Sequence, residues 1–262
     1  MMIVIRCHVI RICLALMLSL SLAGCATTGV NSQAEVPAMH SINEFRDQNF
    51  AEVSDPWEGF NRNMYRFNFY VDRYLFIPVV NSYEFVTPVF LQERISAFYN
   101  NLGEVKNLTN SLFQLKGIES MTTLGRFVTN STVGIGGLFD PATSFGLERH
   151  NEDFGKTLGY WGAGSGPYLV LPFFGPSSVR DTGGLVVDTG ITYGIYSAID
   201  PFGFTGNSFP IDASITTLNF VDTRHNQSFR YYESGYPFEY YMVRFLYHEK
   251  RDIESGRPLP AD

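Results

Sequence analysis

Between Lys156 and Arg180 the chain runs 23 residues without a formal charge, yet Gly159, Gly162, Gly164, Gly166, Gly175, Pro167, Pro172 and Pro176 all fall inside that run. Its length would carry a helix across a bilayer. Its composition forbids one, because each interior glycine penalises a helix by about 1 kcal/mol and each proline by about 3. The stretch Phe154–Asp181 is therefore apolar backbone of irregular shape, whose N–H and C=O groups other parts of the chain must satisfy. That can happen in an ordinary globular core, or beside a membrane where protein or a watered cavity covers the backbone. Apolar content alone does not separate the two settings.

The start of the chain bears on that choice. Arg6 and Arg11 precede the apolar run Ile12–Leu22, too short to anchor as a span and of the length of a secretory signal, and Leu22-Ala23-Gly24-Cys25 follows. This ending resembles a bacterial lipobox, which makes Cys25 the expected lipidation site and residues 1–24 a removed signal peptide. Acyl chains on Cys25, as S-diacylglycerol and N-acyl groups, would anchor the protein stably, since each buried CH2 adds about 0.8 kcal/mol. Ala26 after the cysteine resembles the outer-membrane sorting rule of enteric bacteria. Cys7 and Cys13 leave with the signal, so the mature chain can build neither an internal disulfide nor a thiolate metal site. Loss of Arg6 and Arg11 takes the net charge from −7 to −9. An acidic chain argues against nucleic acid as a partner and against generic adhesion to anionic lipid.

Residues 25–54 read as a lipidated tether, 55–253 as a folded helical domain and 254–262 as a polar tail. Asp55-Pro56-Trp57-Glu58 has the order of a capping box, with Asp55 as N-cap and Pro56 at N1. The helix that follows, to about Leu75, carries Trp57, Phe60, Met64, Phe67, Val71 and Tyr74 on what reads as the core face. Tyr65, Phe69 and Phe76 form a second apolar group about 100° away, with Arg62, Arg66 and Arg73 on the flank between. Two stripes suit a helix half sunk in lipid or one buried between two layers, and the pattern leaves both open.

Further along, Thr87-Pro88 opens a helix expected to stop near Gly103, and Val105, Leu108, Leu112 and Leu115 mark another stopped by Gly117. The segment Phe127–Phe139 is uncharged and rich in small residues, as where backbones approach closely. Ser178-Val179-Arg180-Asp181 reads as a helix start, Asp188–Pro210 resists assignment, and Pro237–Ile253 reads as a helix with Phe238, Tyr241, Phe245 and His248 on one side.

Catalytic signatures fail. Gly164-Ser165-Gly166 lacks the flanking glycines of a hydrolase elbow, and Glu148, His150, Glu152 and Asp153 offer a single histidine without spaced partners, so no metal or other cofactor is expected.

Several segments together resemble the MlaA (VacJ) family of bacterial outer-membrane lipoproteins: Asp55-Pro56-Trp57-Glu58-Gly59-Phe60-Asn61-Arg62, Met64-Tyr65 with Phe67-Asn68-Phe69, Gly136-Gly137-Leu138-Phe139-Asp140, Asp153-Phe154-Gly155, Gly166-Pro167-Tyr168, Gly175-Pro176 and Arg180-Asp181. The match runs from Asp55 to about Arg251. The resemblance implies an all-α ring of amphipathic helices in the periplasmic leaflet of the outer membrane, around a central amphipathic channel. It implies removal of glycerophospholipids misplaced in the outer leaflet and their delivery to a periplasmic lipid carrier, association with a trimeric porin, and no enzymatic activity. Channel or lipid contacts are then expected at Asn68, Phe69, Tyr65, Arg62 and Arg66. A hinge loop is expected at Gly162, Gly164, Gly166 and Pro167, where three glycines in five residues free the backbone. The rival expectation is a scaffold lipoprotein with anchor and helices but no passage.

Overall fold

The computed structural model describes residues 53–199 and 209–256. The signal peptide, Cys25, most of the tether and the tail beyond residue 256 lie outside them. The fold is all-α with one small hairpin: α1 (Glu58–Val71), a π-helical turn (Asp72–Phe76), α2 (Ile77–Val86), α3 (Val89–Phe113), α4 (Gly117–Thr132), the single turn α5 (Pro141–Ser144), α6 (Phe154–Tyr160), strands β1 (Tyr168–Leu171) and β2 (Gly175–Ser178), α7 (Val179–Ile199), α8 (Phe209–His225) and α9 (Glu239–Glu254).

The first helix departs from expectation at its start and on its faces. Trp57, not Asp55, is the N-cap, without a side-chain cap bond. Asp55 instead accepts from Asn61 Nδ2 at 2.7 Å, the Tyr240 hydroxyl at 2.5 Å and Arg244 at 3.0 Å. Three side-chain donors, one of them charged, outweigh the one backbone N–H a cap would satisfy. The stripe expected to be core is largely outside: Trp57, Phe60, Phe67 and Tyr74 are exposed, whereas Asn61, Tyr65, Asn68, Phe69 and Asp72 are buried. The inward face is rotated about a third of a turn from the most apolar one.

The helix does not end at Leu75 but passes through the π-helical turn to Val86. It breaks at Thr87, whose φ of −102° and ψ of 118° are the extended angles a residue before proline prefers. Beyond the break α3 departs at 119° and runs unbroken through Gly103 to Phe113. The expected stop at Gly103 is overridden by a continuous inward stripe, Glu104, Asn107, Asn110 and Gln114, packed along α4, α6 and α7. Gly117 begins α4 rather than ending α3, and the turn falls at Leu115, at φ 56°. No single helix among the described residues is long and apolar enough to cross a membrane, although the bent pair 58–86 and 89–113 is so in combination.

Of the segment Asp188–Pro210, residues 188–199 belong to α7 and Phe209 and Pro210 open α8, while 200–208 lie outside the described residues; the start of α7 is as expected, with Ser178 Oγ accepting from the Asp181 N–H at 3.1 Å. That helix crosses α6 so closely that a Cβ at Gly184 would collide with the backbone of Gly155, and one at Gly155 would collide with Asp181 Oδ1.

The hairpin pairs Tyr168 with Ser178 and Leu171 with Gly175, and two asparagines of α1 cover its open edge. Asn61 donates to Tyr168 O at 3.0 Å and accepts from Val170 N at 2.8 Å; Asn68 donates to Leu171 O at 2.9 Å and accepts from Phe173 N at 2.8 Å. Seven helical residues rise about 10.5 Å and three strand residues about 10 Å, so two amides two turns apart match a strand edge three residues apart.

Packing closes on itself. Helix α1 lies on the hairpin, the hairpin on α7 and α9, α7 on α3, α3 on α8, and α8 on α2, which continues α1. One buried cluster is aromatic: Tyr65, Tyr168, Tyr240 and Tyr241 with Val170. Elsewhere the usual distribution is reversed. Among the described residues, buried polar and charged side chains outnumber buried hydrophobic ones, while Phe85 at 91 %, Ile118 at 86 % and Leu115 at 86 % stand in the open.

Candidate functional site

The reversal is clearest on α3 and α4. Their facing stripes are Glu104, Asn107, Asn110, Ser111 and Gln114 on one helix and Ser120, Thr123, Arg126 and Asn130 on the other, all buried. Arg126 is the hub. Its Nε donates to Glu104 at 2.9 Å, Nη2 to Asp140 at 2.8 Å, and Nη1 to Leu147 O at 2.6 Å. Burial pushes the Asp140 carboxyl up, but bonds from Thr143, Arg126 and Asn130 more than reverse this and hold it at about 2. The network runs on through Asn107 to Glu104 and the Glu152 backbone, through Gln114 to Glu152 and Thr157, and through Asn110 to Asp188 at 2.8 Å. On the outer side of α4, Ile118, Met121, Leu124 and Val128 are exposed. A helix pair joined by polar bonds and apolar on its outside is built for apolar surroundings, where burying more hydrocarbon gains little and interhelical bonding matters more.

A second constellation sits where α1 passes into the π-helical turn. Asn68, Asp72 and Phe76 line a small pocket with Phe173 and Phe174 of the hairpin tip and with Arg224, Gln227, Phe229 and Tyr231. Asp72 and Arg224 form a bidentate pair at 2.6 and 2.8 Å, both buried. A π-helical turn shifts the helical register by one residue and is common at functional sites. Phe173 adopts φ 69°, a left-handed conformation that non-glycine residues rarely take, and Asn68 holds its N–H. Its lining mixes aromatic rings with the closed Asp72–Arg224 pair.

The residues singled out in the sequence are distributed as follows. Asn68 lines that pocket; Phe69 is buried against Tyr232. Tyr65 is wholly buried, its hydroxyl donating to Glu239 at 2.7 Å, so its ring offers no free surface to lipid. Arg62 donates to Glu58 at 2.7 Å and lies 4.8 and 4.7 Å from the rings of Tyr240 and Tyr241. Arg66 is exposed and reaches Tyr70 at 3.4 Å. Gly162 and Gly166 take φ of 93° and 69°, and Gly164 is exposed. The loop they form is pinned at Ser165, whose hydroxyl donates to Asp252 at 2.9 Å, and at Pro167, whose carbonyl accepts from Val179 at 3.1 Å. Glu152 and Asp153 are separately engaged, Glu152 by Gln114 and Lys116 and Asp153 by Arg251.

Sequence reasoning missed Arg126, Asp72 and Arg224. The first had a signal, the spacing of Ser120, Thr123, Arg126 and Asn130 on one helical face. The Asp72–Arg224 pair spans 152 residues and had none.

The family model described as MlaA lipoprotein matches residues 53–254. The chain belongs to that family. An intermembrane phospholipid transport system lipoprotein MlaA of Escherichia coli (strain K12) is 32% identical over 246 residues, covering 91% of this chain and 86% of that protein. An uncharacterised protein of Rickettsia prowazekii is 38% identical over 144 residues, 55% of this chain and 57% of its own length. A solved structure described as "Structural basis for maintenance of bacterial outer membrane lipid asymmetry" superposes with TM-score 0.57 and 30% identity, over 77% of this chain and 99% of that one. The family match spans both constellations, the Arg126 network and the Asn68 pocket.

Proposed function

We propose that this protein is a lipid-anchored channel that removes glycerophospholipid from the outer leaflet of the outer membrane and passes it intact to a periplasmic lipid carrier. In this reading Cys25 carries the acyl anchor, the exposed apolar faces sit in the periplasmic leaflet, and a trimeric porin is a neighbour. The polar interior surrounds the passage, flanked by Asn68, Arg62 and Arg66, with Tyr65 and Phe69 packed behind them, and gated by the loop of Gly162, Gly164, Gly166 and Pro167. The observation that carries the reading is the reversed polarity of α3 and α4, charged and amide groups inside with Ile118, Met121 and Leu115 outside. Membership of a family whose Escherichia coli member is named a phospholipid transport lipoprotein supports it.

Deleting Asn68 and Phe69 tests it. The deletion turns everything beyond by about 200°, strips the hairpin of one edge partner and moves Asp72 away from Arg224. Cells carrying it should show altered phospholipid content in the outer leaflet at unchanged protein level. A normal outer leaflet would remove this segment from the passage. Cys25→Ala should leave unprocessed precursor, and normal processing would end the lipoprotein assignment.

A further inference from the structure

The loop 161–167 joins α6 to β1, and one residue in it is unlike the others. Trp161, Gly162, Ala163, Gly164 and Gly166 are exposed, whereas Ser165 is buried, at 7 %. Its hydroxyl donates to Asp252 Oδ1 on α9 at 2.9 Å. Backbone bonds fix the two ends of the loop: Gly162 N to Gly159 O and Ala163 N to Leu158 O, both at 2.9 Å, on the α6 side, and Val179 N to Pro167 O at 3.1 Å on the hairpin side. Between those ends the hold is lighter. Besides the Ser165 hydroxyl, the Arg180 N–H reaches Ser165 O at 3.2 Å, and Arg180 Nη1 reaches Ala163 O only at 3.5 Å. Gly162 and Gly166 flank this stretch at φ 93° and 69°, and a Cβ at Gly162 would meet nothing, so that glycine supplies a backbone angle rather than room.

The body of α9 is held far more firmly than the loop. Arg244 reaches Asp55 at 3.0 Å, and Arg251 takes Asp153 at 2.7 Å and Asp181 at 2.9 Å, two bonds to each. Several guanidinium–carboxylate bonds together outweigh one hydroxyl–carboxylate bond. When loop and helix separate, the bond at Ser165 therefore yields first and α9 stays docked. Donors for the separated state are already in place. His248, one turn before Asp252 on the same face of α9, has its Nε2 shut off from solvent without a partner among the described residues, and so has Nη2 of Arg180 beside the loop. In its Nε2–H tautomer His248 is a donor that Asp252 can take up when Ser165 leaves, and the Arg180 nitrogen is a spare donor for a displaced loop carbonyl. Opening then exchanges partners and does not strand a carboxylate.

We propose that Ser165 and Asp252 are the latch of this loop: their bond holds the loop shut against α9, and passage of lipid requires its release, with Gly162 and Gly166 as the pivots. The last helix thereby controls the gate without lining the passage. The inference rests on the transport reading and names the positioning residues within it.

The test uses the full-length lipidated protein in cells, with Ser165→Cys and Asp252→Cys, whose thiols would be the only ones in the mature chain besides Cys25. Joining them through a short reducible bis-thiosulfonate linker should raise outer-leaflet phospholipid to the level of cells lacking the protein, and reduction should restore clearance. Clearance that continues with the linker in place overturns the latch and leaves the transport reading standing. Clearance by neither the reduced pair nor the unaltered protein ends the transport reading and the latch with it. A second measurement is independent of the pair and decides where the reduced pair is itself inactive. In detergent, Asp252→Ala should speed hydrogen exchange in the loop peptide 161–167 about tenfold or more, as for loss of a bond to a charged group, with the hairpin and α9 unchanged and Asp252→Asn intermediate. Loop exchange unmoved by Asp252→Ala overturns the latch. A rise spread equally over the loop, hairpin and α9 makes Asp252 a support of the fold and overturns it too.

Discussion

The α3–α4 pair and the tyrosine cluster are both interiors of one chain, and they are held together by opposite means. Around α3 and α4 the inside is amide, carboxylate and guanidinium, and the outside is Ile118, Met121 and Val128. Around α1, the hairpin and α9 the inside is Tyr65, Tyr168, Tyr240 and Tyr241, packed edge to face at ring separations such as 5.8 and 6.0 Å. Three of the four hydroxyl tips end on carboxylates, Tyr65 on Glu239, Tyr241 on Glu58 at 2.9 Å and Tyr240 on Asp55 at 2.5 Å, while that of Tyr168 is buried without a partner among the described residues. The tyrosine cluster gains from removing large rings from water. The helix pair forgoes that gain because its outer face is apolar, and its cohesion comes from directed polar bonds. The two interiors differ in what joins them, not in having apolar side chains outside, since Trp57, Phe60 and Phe67 of α1 are exposed as well.

The strongest way to break the comparison is Arg126→Met. It leaves buried Glu104 with only Arg149, at 3.6 Å, and strips Asp140 of its ion pair, and should destabilise by about 3–5 kcal/mol, whereas replacing both Arg126 and Glu104 with methionine should recover part of the loss. Thermal unfolding in detergent reads both. If the single substitution is tolerated, the polar network is not what joins α3 to α4.

Tyr65→Phe is the matching probe of the other region. It retains the ring and removes a bond to a carboxylate, so a loss of about 1.5–3 kcal/mol is expected. Glu239 keeps the Tyr232 N–H at 2.5 Å and the Ser234 hydroxyl, which puts the loss toward the lower end. A fall as large as that of Arg126→Met would mean that the cluster, too, depends on its polar tips more than on its rings.

A smaller effect, in reactivity rather than stability, locates the boundary between the two regions. Ile118→Cys and Glu233→Cys both place a thiol at an exposed position. In membranes a water-soluble maleimide should label position 233 quickly and position 118 slowly, and in detergent-free soluble protein the two should converge. Equal labelling in membranes would show that the outer face of α4 is not in lipid.

The slightest expected change is with pH. Asp140 sits near 2 when folded against about 3.9 when unfolded. Its contribution is therefore complete above about pH 4 and lost as the pH falls toward 2. Melting curves between those limits should drop more for the unaltered protein than for Asp140→Asn, and parallel curves would contradict it.

Much of this architecture is legible in residue order. The start of α3 at Thr87-Pro88, the start of α7 at Ser178 and the helical period of α1 and α9 follow from local rules of hydrophobicity, proline geometry and capping. The same period, however, describes two opposite faces. Trp57, Phe60 and Phe67 read as core and lie outside, while Asn61 and Asn68 lie inside. Hydrophobic periodicity says that a helix has two sides and not which solvent each meets; with lipid outside, the assignment inverts. Gly103 read as a stop and was carried through, because propensity of about 1 kcal/mol is small beside a stripe of interhelical bonds. Asp55 had the local form of a cap, and distant Tyr240 and Arg244 claimed it. The pocket at Asn68 could be approached from sequence only by its first residue. Its partners Phe173 and Arg224 arrive from 105 and 156 positions further along, and long-range pairing of that kind leaves no local pattern: it is decided when helices, hairpin and elbow close on one another.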